Sequence, residues 1–244
     1  MNRFFIQKSA MEGQIALLTG DDVKHICTVL RLTRGDKVIL CDGEGTDYAA
    51  RIEEIQKDRV TAAILCAMPS AAEPRCKITL YQGLPKAGKM ETIVQKCVEL
   101  GVAKIVPVAM ERSVVKLSPK EFEKKRIRYQ RVAEEAAKQS RRGIIPSIGG
   151  LTELDEIDCE QYDAVIVAYE EESQRSLKEM LLGQRQAKNL AVVIGPEGGF
   201  NPREIGRILE RGAKTITLGK RILRTETAGM ALLAMTLYEL EGEV

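Results

Sequence analysis

The sequence predicts an α/β protein, with a small β-rich segment followed by a larger domain built on a mostly parallel sheet. Three observations predict it. Short runs with strand character crowd the first seventy or so residues. From Lys77 onward, strand-like and helix-like segments alternate. Two later runs, AVIVAY (164–169) and LAVVI (190–194), carry no charge at any position, which suits strands covered on both faces of a sheet.

The elements follow in order. Asp21 or Asp22 caps a short helix reaching Leu30. DKVIL (36–40), DYAARI (47–52) and RVTAAIL (59–65) are strands, with Asp42-Gly43 and Glu44-Gly45 as turn residues between the first two. MPSAAEPR (68–75), with two prolines and small residues, reads as a linker, so the expected domains are 1–70 and 75–244. Ile78–Tyr81 is a strand. Lys89–Leu100 is an amphipathic helix with Met90, Ile93, Val94, Cys97 and Val98 on one face and Gly101 as its stop. Lys104–Val108 is the next strand. Ser118-Pro119-Lys120-Glu121 is a capping box that opens a long helix, with Phe122, Tyr129, Val132, Ala133, Ala136 and Ala137 at helical spacing and Gly143 at its end. Asn201-Pro202-Arg203-Glu204 repeats the cap and opens a helix that stops at Gly212. Thr215–Leu218 is the last strand. The final helix, about Glu226–Leu240, is apolar on nearly every side, which requires burial in the domain or against a second subunit.

The chain has 244 residues, 44% apolar and 30% charged, which describes a globular protein able to bury a sizeable core. Its net charge is only +2, but the charge is unevenly placed. Arg112–Arg142 holds eleven Lys or Arg against four Glu, whereas Leu151–Gln174 holds nine acidic residues and no basic one. That asymmetry points to a basic face for a polyanion, or to two solvated surfaces of opposite sign. The six cysteines show no CxxC, and the single histidine is His25. Cys27, Cys66, Cys97 and Cys159 lie among apolar residues and are expected to be buried thiols in a reducing cytoplasm, with no disulfide frame and no metal. The start, MNRFFIQKSA, lacks a signal-peptide pattern, and no apolar run is long enough to span a membrane.

In open α/β sheets, ligands gather beyond the carboxyl ends of the strands, and four loops qualify. GLPKAGKMET (83–92) spaces Gly83, Gly88 and Lys89 like a phosphate-binding P-loop, but Met90 stands where magnesium binding needs Ser or Thr. Pro85 also removes a backbone donor. A basic loop that touches RNA phosphate through Lys86 or Lys89 fits better. The alternatives are a nucleotide-binding enzyme using 83–90 and a non-catalytic RNA-binding protein. In the acidic loop, Glu171 and Glu172 read as a solvated turn, while the backbone from Ala168 to Glu170 can line a pocket. GPEGGF (195–200) matches neither GxGxxG nor GxGxG. Glu197 would repel a pyrophosphate, so a neutral, zwitterionic or cationic ligand suits this loop. In LGKRILRTETAGMALLA (218–234), Thr225 is a candidate N-cap and Glu226 suits the first helical turn. Caps do not explain Arg221 and Arg224 around Ile222-Leu223. An apolar pair can sandwich a flat ring such as adenine, and flanking arginines can hold a carboxylate or a nucleotide.

VVIGPEGGF (192–200) and LGKRILRTETAGMALLA (218–234) together resemble the SPOUT class of S-adenosylmethionine-dependent RNA methyltransferases. Within it they resemble the family that methylates N3 of a uridine, uridine 1498 in the usual numbering, in the 16S rRNA of the bacterial small ribosomal subunit. The resemblance spans the chain. HICTVLRLTRGDKVILCDGEG (25–45) is similar to that family's N-terminal PUA-like RNA-binding barrel, and residues 83–115 and EEAAKQSRR (134–142) are similar to further family segments. It implies a SPOUT-type parallel-sheet domain with a C-terminal trefoil knot, and a homodimer. It implies that S-adenosylmethionine is held by Ala168, Tyr169, Glu170, Gly195, Pro196, Glu197, Gly198, Gly199, Leu218, Gly219, Arg221, Ile222 and Leu223. Arg224 is then the candidate for stabilising the uracil imide anion, with Thr225 or Glu226 fixing it. Glu197 either orients an arginine or accepts the N3 proton. Candidate RNA contacts are Arg3, His25, Arg31, Arg34, Lys86, Lys89, Arg112, Arg141 and Arg142, with His25 equally readable as a helix-start residue packed on the barrel. Aromatic residues are 4% of the chain, so base stacking is a minor part of binding.

Overall fold

The computed structural model describes residues 1–86 and 88–242. The chain divides into two compact units, residues 1–73 with 137–145, and residues 74–136 with 146 onward. The first unit holds β1 (Asn2–Phe5), β2 (Met11–Glu12), β3 (Ile15–Thr19), α1 (Asp21–Lys24), β4 (Lys37–Cys41), β5 (Thr46–Ile55) and β6 (Arg59–Pro69). They form one six-stranded sheet in the order β1-β4-β5-β6-β3-β2. All pairs are antiparallel except β1 with β4. Strand alternation places Ala16 and Leu18 inward and Ile15 and Leu17 outward. Register shifts in β5 at Ala49/Ala50 and Ile52/Glu54 bend the β5–β6 ribbon around a core that includes Phe4, Leu18, Ile26, Val38, Leu40 and Val60.

Strands β1, β2 and β3 go beyond the three expected from sequence. IALLT is apolar on both faces, so it lacks the polar alternation that marks a half-buried strand. β6 continues to Pro69, so the expected linker at 68–75 starts late. α1 runs on into one wide turn, His25–Val29, and reaches the expected end near Leu30. Cys27 and Cys66 are exposed, against expectation. Cys66 lies in the outer half of β6, where residues 65–69 leave the core.

The segment Ala137–Ile145 belongs to the first unit for a visible reason. Gly45 N–H donates to the Gly143 carbonyl, and Ile145 N–H to the Gly43 carbonyl. The Arg142 guanidinium, its side chain 4% exposed, pairs with Glu73 at 2.6 Å. The Glu73 carboxylate also accepts from the N–H groups of Gly143 and Ile144, at 2.7 and 3.0 Å. A Cβ on Gly143 would sit 2.1 Å from the Ser70 side chain, so only glycine fits. Arg3 grips Asp47 with two bonds of 2.7 and 2.6 Å and also donates to Ser70 and the Arg142 carbonyl. Arg3 and Arg142 are two of the residues expected to contact RNA. Both guanidiniums are committed to ion pairs that hold this unit together.

The second unit holds β7 (Lys77–Gly83), α2 (Lys89–Glu99), β8 (Lys104–Ala109), α3 (Pro119–Gln139), β9 (Ser147–Ile148), β10 (Thr152–Glu153), β11 (Ala164–Ala168), α4 (Leu177–Leu182), β12 (Asn189–Ile194), α5 (Pro202–Glu210), β13 (Lys214–Ile216) and α6 (Thr225–Glu241). Its sheet is parallel throughout, in the order β10-β8-β7-β12-β11-β13, with β9 also on β8. Alternate residues divide the two faces. Tyr81, Val106, Val165, Val167, Ala191 and Val193 share a core with Ile205 and Ile208 of α5. The alternate positions of the same strands, such as Leu80, Ile166 and Val192, are also buried, and α6 packs on β7, β12, α2 and α4. The expected caps at Ser118 and Asn201 are present. α4 was not expected. Its Ser176–Glu179 capping box is legible, but six residues are too few to show a helical period.

The apolar α6 buries Leu232, Leu233 and Leu237, each worth roughly 1.5–3 kcal/mol. Thr236 is tolerated inside because its hydroxyl donates to the Leu232 carbonyl at 2.7 Å. Met235 and Tyr238 on the other side remain exposed. β13 ends at Ile216 rather than Leu218, which leaves Thr217–Arg224 as a loop.

Removing Glu73 leaves the buried Arg142 charge without that partner. Glu73→Ala is expected to destabilise the first unit by about 3–5 kcal/mol, read as lost amide-hydrogen protection in residues 137–145 and in β4 and β5.

Candidate functional site

The carboxyl ends of β11, β12 and β13 open into three loops, and the first turn of α6 returns beside them. They enclose a cavity of about 570 Å³, within the usual range for a small-molecule site. The thirteen residues from Ala168 to Leu223 expected to hold a ligand all line it, as do Lys89, Arg224 and Thr225. Glu226 lies one residue further along α6 and reaches the same place through Lys89.

The GPEGGF loop is shaped by close contacts. Gly199 has φ +69°, and a Cβ there would lie 1.8 Å from Glu170 Oε1. That Glu170 oxygen accepts the Phe200 N–H at 3.1 Å, tying the loop after β11 to the loop after β12. Gly83, the first glycine of the near-P-loop spacing, has another use. A Cβ there would lie 2.6 Å from the Pro196 nitrogen, so the residue lets β7 close against the GPEGGF loop.

Thr225 does not cap α6 as expected. Arg224 holds the N-cap position, without a side-chain cap, and Thr225 is the first helical residue. The Thr225 hydroxyl is buried. It donates to the Gly195 carbonyl at 2.6 Å and accepts from the Gln82 side-chain amide at 2.8 Å. Gln82, fully buried, also donates to the Gly83 carbonyl at 3.0 Å. Sequence reasoning missed Gln82, although one amide in the otherwise apolar end of β7 is a usable signal. Leu218, Ile222 and Leu223, which line the loop after β13, donate no backbone hydrogen bond among the described residues. Ile222 is 80% exposed at this edge of the cavity.

Lys89 is not a free phosphate contact. Its ammonium lies 3.1 Å from Glu197 and 3.0 Å from Glu226. Those carboxylates, Glu226 first, raise its pKa above the ordinary lysine value. Burial pushes the Glu197 carboxyl up, but backbone N–H groups, including that of Lys86, and the Lys89 ammonium outweigh it and hold the group below its ordinary value. The Glu226 carboxyl is depressed in the same way, against its burial, with the Arg224 charge adding to the effect. Glu197 thus orients a lysine rather than an arginine, and a depressed carboxylate is a weak proton acceptor. Arg224 is exposed and forms no ion pair among the described residues.

Glu172 is not a merely solvated residue. It accepts from the Gln174 N–H at 2.8 Å, the Thr215 hydroxyl at 2.7 Å and the Arg175 N–H at 3.3 Å, tying the loop after β11 to β13. These donors lower its pKa to about 2. The remaining candidates stay on the surface. Arg31, Arg34 and Arg141 are exposed in the first unit, and Lys86 and Arg112 in the second. His25 is exposed, with its ring edge-on to Phe4 at 6.1 Å, so it has a packing role whatever else it contacts.

A family model described as an RNA methyltransferase domain matches residues 72–237, and one described as an RNA methyltransferase PUA domain matches residues 18–65. The ribosomal RNA small subunit methyltransferase E of Bacillus subtilis is 34% identical over 99% of this chain and 98% of its own length. The Aquifex aeolicus protein of the same name is 33% identical over 91% of this chain and 94% of its own. A crystal structure of ribosomal RNA small subunit methyltransferase E from Neisseria gonorrhoeae bound to S-adenosylmethionine matches with a TM-score of 0.81 and 31% identity, covering 96% of each chain.

The depressed Glu172 carboxyl favours the folded state above pH 4.5, its ordinary value, and that contribution is lost as pH falls toward about 2. Glu172→Gln is expected to flatten the dependence of melting temperature on pH in that window, measured by circular dichroism.

Proposed function

The chain belongs to the RNA methyltransferase family that includes ribosomal RNA small subunit methyltransferase E, and from that premise we propose that it uses S-adenosylmethionine to methylate N3 of one uridine, uridine 1498, in the 16S rRNA of the small subunit. The observation that carries this reading is the unpaired Arg224 at a cavity whose other walls suit a cofactor without phosphate. Glu170, Glu197 and Glu226 place negative charge where a pyrophosphate would need cations, and the Lys89 ammonium is already taken by two of them. This disfavours the P-loop alternative. Unused backbone N–H groups at Leu218, Ile222 and Leu223, beside the apolar side chains of Ile222 and Leu223, suit the edge and face of adenine. The glycine loop 195–199 lets the main chain approach the rest of the cofactor closely.

S-adenosylmethionine, when bound, supplies an electrophilic methyl group. The chain's task is to present uracil N3 as a nucleophile. N3 carries a proton and has no free lone pair, so it loses that proton to solvent and reacts as the imide anion. Arg224 supplies the positive charge that stabilises this anion. Thr225 fixes the backbone from which Arg224 projects, through its bonds to Gly195 and Gln82. Exposed Arg31, Arg34 and Arg141 in the first unit, and Lys86 and Arg112 in the second, are the proposed phosphate contacts.

The same proposal includes the trefoil knot and the homodimer. The return of the chain after β13 to insert Thr225 between Gln82 and Gly195 supports the knot. The uncovered apolar side of α6, with Met235 and Tyr238, supports the dimer. The proposed site of action is the cytoplasm, with the small-subunit RNA; no helix among the described residues is long and apolar enough to cross a membrane.

Calorimetry is expected to show binding of S-adenosylmethionine and none of ATP with magnesium; the reverse would restore the P-loop alternative. Arg224→Ala is expected to lower kcat by roughly 10²–10³-fold while cofactor affinity stays within a few-fold. Near-wild-type kcat would remove Arg224 from the mechanism. Replacing Arg31 and Arg34 by Ala is expected to reduce the slope of log affinity for RNA against log salt by about 0.7 per residue.

A further inference from the structure

The environment of Arg224 poses an electrostatic problem. Glu226 is two residues away, in the first turn of α6 that Arg224 precedes as N-cap, and Glu197 lines the same cavity. Either carboxylate is a natural partner for an arginine, and a bidentate pair would remove the guanidinium from use. Both would also repel an anion forming at the substrate. Yet neither pairs with Arg224 in the structure; the Lys89 ammonium lies 3.1 Å from Glu197 and 3.0 Å from Glu226.

Lys89 is well placed for this. It is the first residue of α2, so its backbone is fixed by a helix that packs against α6. The Lys86 N–H donates to the same Glu197 carboxylate, which holds that acceptor in register with the ammonium. The loop after β7, the loop after β12 and the first turn of α6 therefore meet at one nitrogen atom. That nitrogen already faces two carboxylates, which disfavours phosphate binding there.

We infer that Lys89 is a positioning residue for methyl transfer: by occupying Glu197 and Glu226 together it keeps Arg224 unpaired and available to the substrate anion. The inference rests on the proposed role of Arg224 in methyl transfer, and it has a consequence that does not depend on that role. Without Lys89, Glu197 keeps its bonds from the Lys86 N–H, but Glu226 is free and Arg224 turns to it.

The test uses the full-length chain with Lys89→Met, Lys89→Arg and the double variant Lys89→Met with Glu226→Gln. Phenylglyoxal modification of Arg224, followed by peptide mass spectrometry, reads its pairing without any turnover. The rate at Arg224 is expected to fall about tenfold in Lys89→Met and to recover in the double variant. Methyl transfer to small-subunit RNA is expected to follow it, with kcat down about a hundredfold in Lys89→Met, KM for RNA within a few-fold, recovery to within about tenfold in the double variant, and near-complete retention in Lys89→Arg. An unchanged modification rate at Arg224 in folded Lys89→Met would overturn the inference. So would a double variant with restored modification but no recovery of kcat, because Lys89 would then act on the reaction directly. If wild type transfers no methyl group while the modification rates behave as expected, the functional reading fails and the pairing inference stands.

Discussion

The Thr225 hydroxyl accepts a bond from Gln82 at 2.8 Å and donates one to Gly195 at 2.6 Å, so α6 begins where β7 and β12 end. All three groups are buried, which makes these bonds costly to break. The position of everything C-terminal to β13 depends on them. The loop Thr217–Arg224 is held at one end by β13 and at the other by this pin. Its length between the two is what brings Leu218, Ile222 and Leu223 to one wall of the cavity and Arg224 to its edge.

Charge is arranged on top of that scaffold. The cavity carries more carboxylate than a nucleotide-phosphate site tolerates, and each acidic group has an assigned partner. Glu170 accepts from Phe200 N–H, Glu172 accepts from Thr215, and Glu197 and Glu226 form ion pairs with Lys89. The result is a set of loops tied to one another by carboxylates, with the Arg221 and Arg224 guanidiniums left unpaired among the described residues. A site built this way suits a ligand that is neutral or cationic and a reaction in which negative charge appears late, on the substrate.

Much of this was legible in the sequence, for physical reasons. The uninterrupted apolar runs at β11 and β12 suit central strands of a parallel sheet, beyond whose carboxyl ends ligand loops gather, and the GPEGGF and LGKRILRTET loops do meet there. What stayed hidden was partner choice. Thr225 looks like an N-cap because Ser and Thr usually serve there, but a long-range acceptor, Gly195, competes for the hydroxyl and wins. Lys89 looks like a phosphate ligand from its spacing after Gly83, yet the carboxylates that claim it lie more than a hundred residues away in sequence. Arg3 and Arg142 look like free surface cations and are paired with Asp47 and Glu73. Each correction comes from a contact between distant segments, which local pattern cannot encode.

The proposal that unites these observations is chemical: that this cavity transfers a methyl group to uracil N3 in small-subunit RNA. The most direct measurement is transfer of labelled methyl from S-adenosylmethionine to small-subunit particles purified from cells that lack the endogenous enzyme, followed by digestion and mapping of the modified base. The account predicts one equivalent of label at N3 of a single uridine in 16S rRNA. Label on another base or another atom, or none at all with cofactor bound and particles intact, would contradict it.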